Sequence, residues 1–264
     1  MLGRLARDPD WPVMLREDAH GVPPHGVLVL RPLTRRDEKD WTRLRAANVA
    51  WLAPWEATDP ALDVTAPQDE PPAEQAHPSP VEQGRSNHPS SVEQGRQARV
   101  ETPPPGTRPG LRPIPAVSFR AYVAGLRAAA REGTTIPFAI EHDGELVGQL
   151  MVSNIVHGAQ RSGVIGYWVS EHVAGRGIAP AAVAMTVDHC FDTLLMHRLE
   201  LCIRPENTAS LRVAAKLGLR SEGLRPRYIH IAGRWRDHEV FAVTAEEVPQ
   251  PGGMLERLRR ITPV

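Results

Sequence analysis

Cysteine is scarce in this chain of 264 residues, which contains only Cys190 and Cys202. Two cysteines cannot form the disulfide framework of a small secreted domain, so the composition is typical of a protein from a reducing compartment. Lysine plus arginine and aspartate plus glutamate both total 31. The resulting net charge of zero predicts neither nucleic acid nor a membrane as a partner.

Long apolar runs are missing as well. No stretch approaches the roughly eighteen apolar residues of a membrane span. The segment from Met1 to Trp11 carries four charged side chains where a signal peptide needs an apolar run. The 11 histidines show no metal-binding spacing such as H-E-x-x-H. We therefore expect a cytoplasmic protein without a metal ion.

Aromatic residues are absent from residues 57–115, a segment that holds half of the 26 prolines. It contains a near-exact repeat, HPSPVEQGR at 77–85 and HPSSVEQGR at 88–96. A solenoid needs at least three units with apolar faces, and each unit here has one valine. Such a segment cannot bury enough surface to offset its ordering entropy, which predicts a low-complexity, disordered insertion. A partner-binding role for the repeat stays open.

The flanking residues have regular hydrophobic patterns that predict one discontinuous domain, 22–56 and 116–248, followed by a tail or short helix over 249–264. Asp143-Gly144 between two apolar runs predicts a hairpin. Strands are predicted at 27–33, 138–140, 146–152, 163–169, 198–203, 228–231 and 238–244. Helices are predicted at 37–48, 117–131, 178–195 and 207–217, and glycines are expected to end the second and the fourth of these, at Gly133 and Gly218. The fold class is α/β, with a mixed sheet flanked by helices.

The most informative stretch runs from Gly166 to Ala179, where a strand leads into Gly175-x-Gly177 and then into a helix. Glycines let the main chain approach a ligand closely, and the first turn of a helix offers unpaired N–H donors. This pattern predicts a pyrophosphate site, although a plain strand-to-helix turn would look the same. The third glycine of a dinucleotide fingerprint is absent, as is the Gly-Lys-Ser/Thr of a P-loop.

A second half-motif follows at 204–219, RPENTASLRVAAKLGL. Together the two segments resemble the acetyl-CoA site of the GNAT acetyltransferase superfamily: His172-x-x-Gly175-x-Gly177, then the helix that begins at Asn207. His172 replaces the usual Gln or Arg of the loop. Ala214 occupies the place where many members have the tyrosine that protonates the departing thiolate, so this chain cannot use that tyrosine.

Without that tyrosine, the chain resembles one branch of the superfamily, the RimJ/RimL-type N-alpha-acetyltransferases. Within this branch it resembles the RimJ type in particular. In this branch a serine three residues after the asparagine is the proposed thiolate partner, and Ser210 matches it. Further matches are NVAWLAPWE at 48–56, Tyr228, Glu222-Gly223 and GRWRDH at 233–238. The resemblance spans about 27–56 and 137–246 and leaves out the insertion and both termini.

The resemblance implies a GNAT fold with a mixed, mostly antiparallel sheet, and direct attack of an amine on acetyl-CoA. Its implied pantetheine contacts are the strand edge at Trp168, Val169 and Ser170, together with Asn207. Pyrophosphate would bind the main-chain amides of Ala174, Gly175, Arg176, Gly177, Ile178 and Ala179. Ser210 would act on the thiolate, unless it is only a small residue in a helix capped by Asn207. Trp55 and Trp235 would line the acceptor groove, or else belong to the core.

The expected acceptor is the N-terminal α-amine of a protein of ribosomal-protein type. An α-amine with a pKa of about 7.7–8.0 is partly neutral at pH 7, whereas a lysine near 10.4 is almost fully charged. A weakly specified base therefore suffices. Our candidate is Glu56, which could also hold the substrate ammonium or be a solvated loop carboxylate. Glu239 and His238 are the fallbacks.

Two alternatives remain open from the sequence. The acceptor could instead be a lysine ε-amine or a small amine, with the same chemistry. The chain could also be a non-catalytic acyl-CoA-binding scaffold that recruits partners through its repeat. Neither the acceptor protein nor the choice between monomer and dimer follows from the residues.

Overall fold

An eight-stranded sheet runs through the three segments that the computed structural model describes, residues 13–19, 25–59 and 118–261. The strands are β1 (Leu15–Ala19), β2 (Gly26–Arg31), β3 (Ile136–His142), β4 (Glu145–Val156), β5 (Ser162–Val169), β6 (Arg198–Ile203), β7 (Arg220–Ile231) and β8 (Arg234–Thr244). The helices are α1 (Glu38–Ala47), α2 (Val49–Leu52), α3 (Phe119–Glu132), α4 (Ile178–Asp188), α5 (Thr208–Leu217) and α6 (Gly253–Ile261).

The strand order is β1-β2-β3-β4-β5-β6-β8-β7. All neighbouring strands are antiparallel except β5 and β6, which are parallel and are connected through α4. A parallel connection needs a crossover of this kind, whereas the antiparallel pairs can be joined by short turns. This arrangement confirms the mixed, mostly antiparallel sheet that the resemblance implied.

Local signals in the sequence set several element boundaries. Asp143 and Gly144 both have positive φ, 50° and 82°, as a two-residue hairpin turn requires. Helix α3 begins after Ser118, whose hydroxyl accepts a hydrogen bond from the Ala121 N–H, and ends at Gly133 with φ 72°. The sequence predicted this hairpin and this glycine stop.

Two apolar clusters lie on opposite faces of the sheet. One contains α4, which is buried almost all round, together with α5, α6 and strand residues such as Phe138 and Ile140. The other cluster contains residues of α1 and α3 and also Ala139, which lies between Phe138 and Ile140 on β3. Because successive strand side chains alternate between faces, this assignment shows that the sheet is covered on both sides.

Some predicted boundaries were wrong. The last hairpin was predicted to begin at Tyr228, but its first strand, β7, begins at Arg220. Most of β7 is exposed, so its sequence lacks the alternating apolar pattern from which a strand is predicted. The helix predicted over 178–195 is α-helical only as far as Asp188 and is followed by a π-helical turn, His189–Thr193. Strand β1 and the short helix α2 were not predicted.

The predicted insertion lies outside the described residues, except for its first three positions. There Ala57 forms a β-bridge with Ile231, and the Thr58 N–H donates to the His230 carbonyl at 2.9 Å. These first residues are therefore attached to β7. None of the helices in the described segments is long and apolar enough to cross a membrane.

Candidate active site

Strands β5 and β6 separate after a short paired stretch. Ser162 to Val164 pair with Arg198 to Glu200, and no pairing continues beyond them. The gap that opens is a cavity of about 190 Å³. Its lining combines residues from both strands with residues of three neighbouring elements: Trp55, Ile165, Gly166, Tyr167, Leu201, Cys202, Ile203, Arg204, Asn207, Ser210 and His238.

The residues that line the cavity come from both faces of the sheet. Tyr167 and Ile203 pack with the cluster around α4. In the antiparallel pair of β6 and β8, Ile203 lies opposite Glu239, so these two side chains share the α4 face. His238, the next residue, therefore points to the other face. The gap places hydroxyl groups and an imidazole on opposite sides of the same opening.

The loop before α4 has the geometry of an anion site. Gly175 and Gly177 have φ of 81° and 86°, a conformation that a side chain would strain. The first helical hydrogen bond is donated by Ala181 to the Gly177 carbonyl, at 3.2 Å. The N–H groups of Ile178 and Ala179 thus point out of the first turn, at the positive end of the helix dipole.

Not all six predicted amides are available there. The N–H groups of Ala174 and Arg176 donate to the carbonyls of Glu171 and Val173, at 3.0 and 3.4 Å. Within the described residues, the amides left without such a bond are those of Gly175, Gly177, Ile178 and Ala179. Those four N–H groups are the ones that this loop leaves available to a ligand.

The start of this loop is tied to the junction of α1 and α2. The buried Asn48 side chain accepts from the Glu171 N–H and donates to the Ser170 hydroxyl, both at 2.8 Å. Ser170 also contacts Nδ1 of His172, at 2.7 Å. The Ser170 side chain is therefore engaged in fixing the loop, and Asn48 is a positioning residue that the sequence did not single out.

The edge of β5 is only partly open. The Ser170 N–H donates to the Val147 carbonyl at 2.8 Å. Because ladder bonds alternate, the main chain of Trp168 also faces β4, whereas those of Tyr167 and Val169 face the gap. The Val169 carbonyl accepts from the Trp51 indole at 3.1 Å, which leaves its N–H for a ligand.

At the start of α5, Asn207 and Ser210 lie beside Tyr167. The Asn207 side-chain oxygen accepts from the Ser210 N–H at 3.1 Å, so Asn207 caps the helix and also lines the cavity. The Tyr167 hydroxyl is buried and has no hydrogen-bond partner of ordinary geometry. Burial raises the pKa of Tyr167 to about 12, and the neighbouring Ser210 side chain opposes this shift.

Glu56 is not among the residues that line the cavity. Its carboxylate forms an ion pair with Arg45, whose guanidinium also lies over the rings of Trp41 and Trp168, 5.8 and 5.4 Å from the centroids. The carboxylate is thus directed at the Arg45 guanidinium instead of the cavity. This ion pair between residues eleven positions apart weakens the case for Glu56 as base.

Of the two tryptophans expected in the acceptor groove, Trp55 lines the cavity and Trp235 does not. The Arg204 guanidinium lies 5.4 Å from the centroid of the Trp55 ring. Arg204 also donates to the Pro54 carbonyl at 2.7 Å and so anchors this loop. Trp235 is 45% exposed on the β7–β8 hairpin, stacks edge-on with His230 and does not line the cavity.

Cys202 lines the gap on the His238 side, and burial raises the pKa of its thiol. A thiol of raised pKa is a weak nucleophile. Among the described residues there is no group of three or more His, Cys, Asp or Glu side chains that could hold a metal ion.

Comparisons with known proteins agree with this geometry. A family model described as an acetyltransferase (GNAT) domain matches residues 97–220. Among solved structures, RimJ of Mycobacterium smegmatis in complex with CoA-disulfide is 38% identical, with 94% of each chain covered and a TM-score of 0.68. The chain therefore belongs to the GNAT acetyltransferase family.

Within this family the chain is RimJ-like, as the motifs predicted. It is also similar to two curated proteins. The probable N-acetyltransferase YjcK of Bacillus subtilis (strain 168) is 37% identical over 38% of this chain and 56% of YjcK, so the match spans little more than half of that relative. The ribosomal protein uS5-alanine N-acetyltransferase of Escherichia coli (strain K12) is 28% identical over 49% of this chain and 68% of that protein.

Proposed function

We propose that this chain transfers the acetyl group of acetyl-CoA to the N-terminal α-amine of a protein, of ribosomal-protein type. The observation that carries the proposal is the gap between β5 and β6, with Ser210 and Tyr167 on one face and Trp55 and His238 on the other. The names of the RimJ and uS5-alanine acetyltransferase relatives support the acceptor class.

The residues around the gap fit acetyl-CoA. The amides of Gly175, Gly177, Ile178 and Ala179 offer donors for a diphosphate, and the Val169 N–H offers one for the pantetheine. No Cβ blocks the approach at Gly175, where an added carbon would meet no atom within 4 Å. When bound, acetyl-CoA supplies the thioester that the amine attacks.

Two proton transfers must accompany that attack. On the α4 face, we assign the Ser210 hydroxyl as the proton donor to the departing thiolate. The Ser210 N–H already donates to the Asn207 side chain, so the hydroxyl is the donor of Ser210 that remains. On the other face, the acceptor amine needs a base. An α-amine suits a site with one weak base, because about a tenth or more of it is neutral at pH 7.

The acceptor is tested with purified protein, acetyl-CoA and a panel of peptides with free N-termini, following release of free thiol. The matched control is the same panel with blocked N-termini and one internal lysine. We expect release only with the free N-termini. Reaction only with the blocked peptides, or only with small amines, would replace the α-amine by the corresponding acceptor.

The same assay separates an enzyme from an acyl-CoA-binding scaffold. A scaffold would bind CoA in calorimetry and release no thiol with any amine. We expect Ser210→Ala to lower turnover by roughly ten to a thousandfold, within the range for loss of an acid catalyst, with CoA affinity retained. Unchanged turnover would remove Ser210 from the mechanism.

A further inference from the structure

Among the described residues, His238 offers a basic nitrogen on the acceptor face of the cavity, the face that also carries Trp55. His238 is only 3% exposed, yet it lines the cavity together with Trp55. Its Nδ1 lies 3.0 Å from the carbonyl of Arg236, two residues earlier on β8. A carbonyl only accepts, so this contact fixes the hydrogen on Nδ1 and leaves a lone pair on Nε2.

The orientation of the ring is fixed by packing. Tyr228 of β7 meets the imidazole edge-on, with the ring centroids 6.0 Å apart. Within the described residues, Nε2 has no hydrogen-bond partner, and it is not among the fully enclosed polar atoms that lack one. Nε2 is therefore the part of His238 that the cavity leaves accessible.

The two carboxylates that compete for the same role are placed less well. Glu56 is held by Arg45 and does not line the cavity. Glu239 lies opposite Ile203 on the α4 face, where the thiolate side of the gap is. His238 lies on the opposite face, from which an amine can reach the thioester without crossing the leaving group.

From this placement we infer that Nε2 of His238 is the general base that takes the proton from the attacking amine. The inference rests on the proposed acetyl transfer and names the residue that completes it. It assigns His238, rather than Glu56, to the acceptor side of the reaction.

The protonation state supports this role. Burial is the main reason that the pKa of His238 lies below its usual value of 6.5, and Arg204 lowers it further. The Arg236 carbonyl, Asp237 and Glu206 oppose the shift. Three further titratable groups face the same region: Arg225 on β7, which is paired opposite His238, Tyr228 on β7 and Cys202 on β6. The imidazole is therefore neutral, and able to accept a proton, at and above neutral pH.

The step balances as follows. The neutral amine attacks the thioester carbonyl carbon, and the nitrogen carries a positive charge while the new C–N bond forms. One proton passes from that nitrogen to Nε2, and the C–S bond breaks. The thiolate takes one proton from the Ser210 hydroxyl on the α4 face, and exchange with water then removes the proton from His238 and returns one to Ser210. A base with a lowered pKa suffices, because the nitrogen becomes more acidic as it forms its bond to the carbonyl carbon.

The test compares the wild type with His238→Asn, whose side-chain amide can still donate to the Arg236 carbonyl but is not basic. We expect kcat/KM for the amine that the wild type acetylates to fall about a hundredfold or more, the usual range for a lost base. Acetyl-CoA affinity in calorimetry should be unchanged. His189→Asn is the matched control, since His189 is also buried but packs near Phe138, away from the cavity.

The pH profile separates a base from a structural residue. For an α-amine, log kcat/KM of the wild type should rise with slope two below the pKa of His238, with slope one up to about 7.7–8.0, and then level off. His238→Asn should keep slope one throughout the rising limb. Nitrogen NMR of the wild type should show His238 as the Nδ1–H tautomer with a pKa below 6.5.

The failures are distinguishable. If the wild type releases no thiol with any amine, the proposed function fails and this inference fails with it. If the wild type is active and His238→Asn retains its rate and its slope of two, only the inference is overturned. A His238 ring that is protonated at pH 7, or that carries its hydrogen on Nε2, would overturn it independently of any activity.

Discussion

At the scale of single residues, Tyr167 serves both the core and the cavity. Its ring packs with the cluster around α4, while its buried hydroxyl lies beside Ser210 and has no hydrogen-bond partner of ordinary geometry among the described residues. A buried hydroxyl of this kind contributes nothing to folding, because its desolvation is not compensated. A role of this hydroxyl in the chemistry of the gap would account for its position there.

We therefore expect Tyr167→Phe to leave the free energy of unfolding unchanged or to raise it, within about 1 kcal/mol, and to lower turnover. Denaturant unfolding and steady-state kinetics measure the two effects. Tyr122→Phe is the control: its hydroxyl accepts a hydrogen bond from Gln149 at 2.7 Å, so its loss should cost about 1 kcal/mol. Clear destabilisation by Tyr167→Phe would show that the hydroxyl is satisfied.

Gly175 gives a second prediction at this scale. Its φ of 81° makes alanine strained by about 1–2 kcal/mol, although space is available for the extra carbon. That carbon would also stand where the main chain approaches a phosphate. Gly175→Ala should therefore weaken CoA binding in calorimetry by more than its stability loss explains.

The control for this variant is Gly125→Ala, in the interior of α3, where an added carbon also meets nothing within 4 Å. That change should stabilise the protein by about 0.5–1 kcal/mol and leave CoA affinity unaltered. Equal CoA affinity of Gly175→Ala and the wild type would argue against a phosphate at this loop.

At the scale of elements, β6 and β7 are held near the end of the sheet by charge as well as by β8 between them. Glu222 of β7 pairs with Arg198 of β6 and with Arg220. The hydrogen bond from Arg198 is the largest reason that the pKa of Glu222 is lowered to about 2. The group remains partly exposed, so screening by solvent limits its contribution.

Because the folded-state pKa of Glu222 lies below the unfolded value near 4.5, its stabilisation is present above pH 4.5. It is lost as the pH falls from 4.5 towards 2. The stability gap between the wild type and Glu222→Gln should narrow over this window in denaturant unfolding. The control is Glu132→Gln, at an exposed site without an ion pair among the described residues. A stability difference between the wild type and Glu222→Gln that does not change with pH would contradict a stabilising role of the Glu222 ion pairs.

At the scale of the whole molecule, the described residues by themselves form two apolar clusters and the cavity between β5 and β6. Residues 61–96 lie outside both the described segments and the family match. Replacing them by a short flexible linker should preserve cooperative unfolding and CoA binding. Calorimetry and thermal unfolding measure this, and loss of folding would show that these residues contribute to the domain.

The sequence by itself determined those features that depend on neighbouring residues. A helix that must end in a left-handed residue needs Gly133 or Gly218, a tight hairpin needs Asp143-Gly144, and an anion loop needs Gly175 and Gly177. Because these requirements are local, they can be recognised in the sequence. From them the hairpin, the helix stops and the family were predicted.

Only the tertiary structure decided which side chains meet. Asn48 reaches Ser170 across 122 positions, Arg45 occupies the carboxylate of Glu56, and the pairing of β6 with β8 sends Glu239 and His238 to opposite faces. A strand pattern gives alternation but not the face that receives a ligand, because that depends on which strands are paired and where they part. For this reason the loop with Gly175 and Gly177 could be located from the sequence, whereas Glu56, Glu239 and His238 all stayed open there as candidate bases.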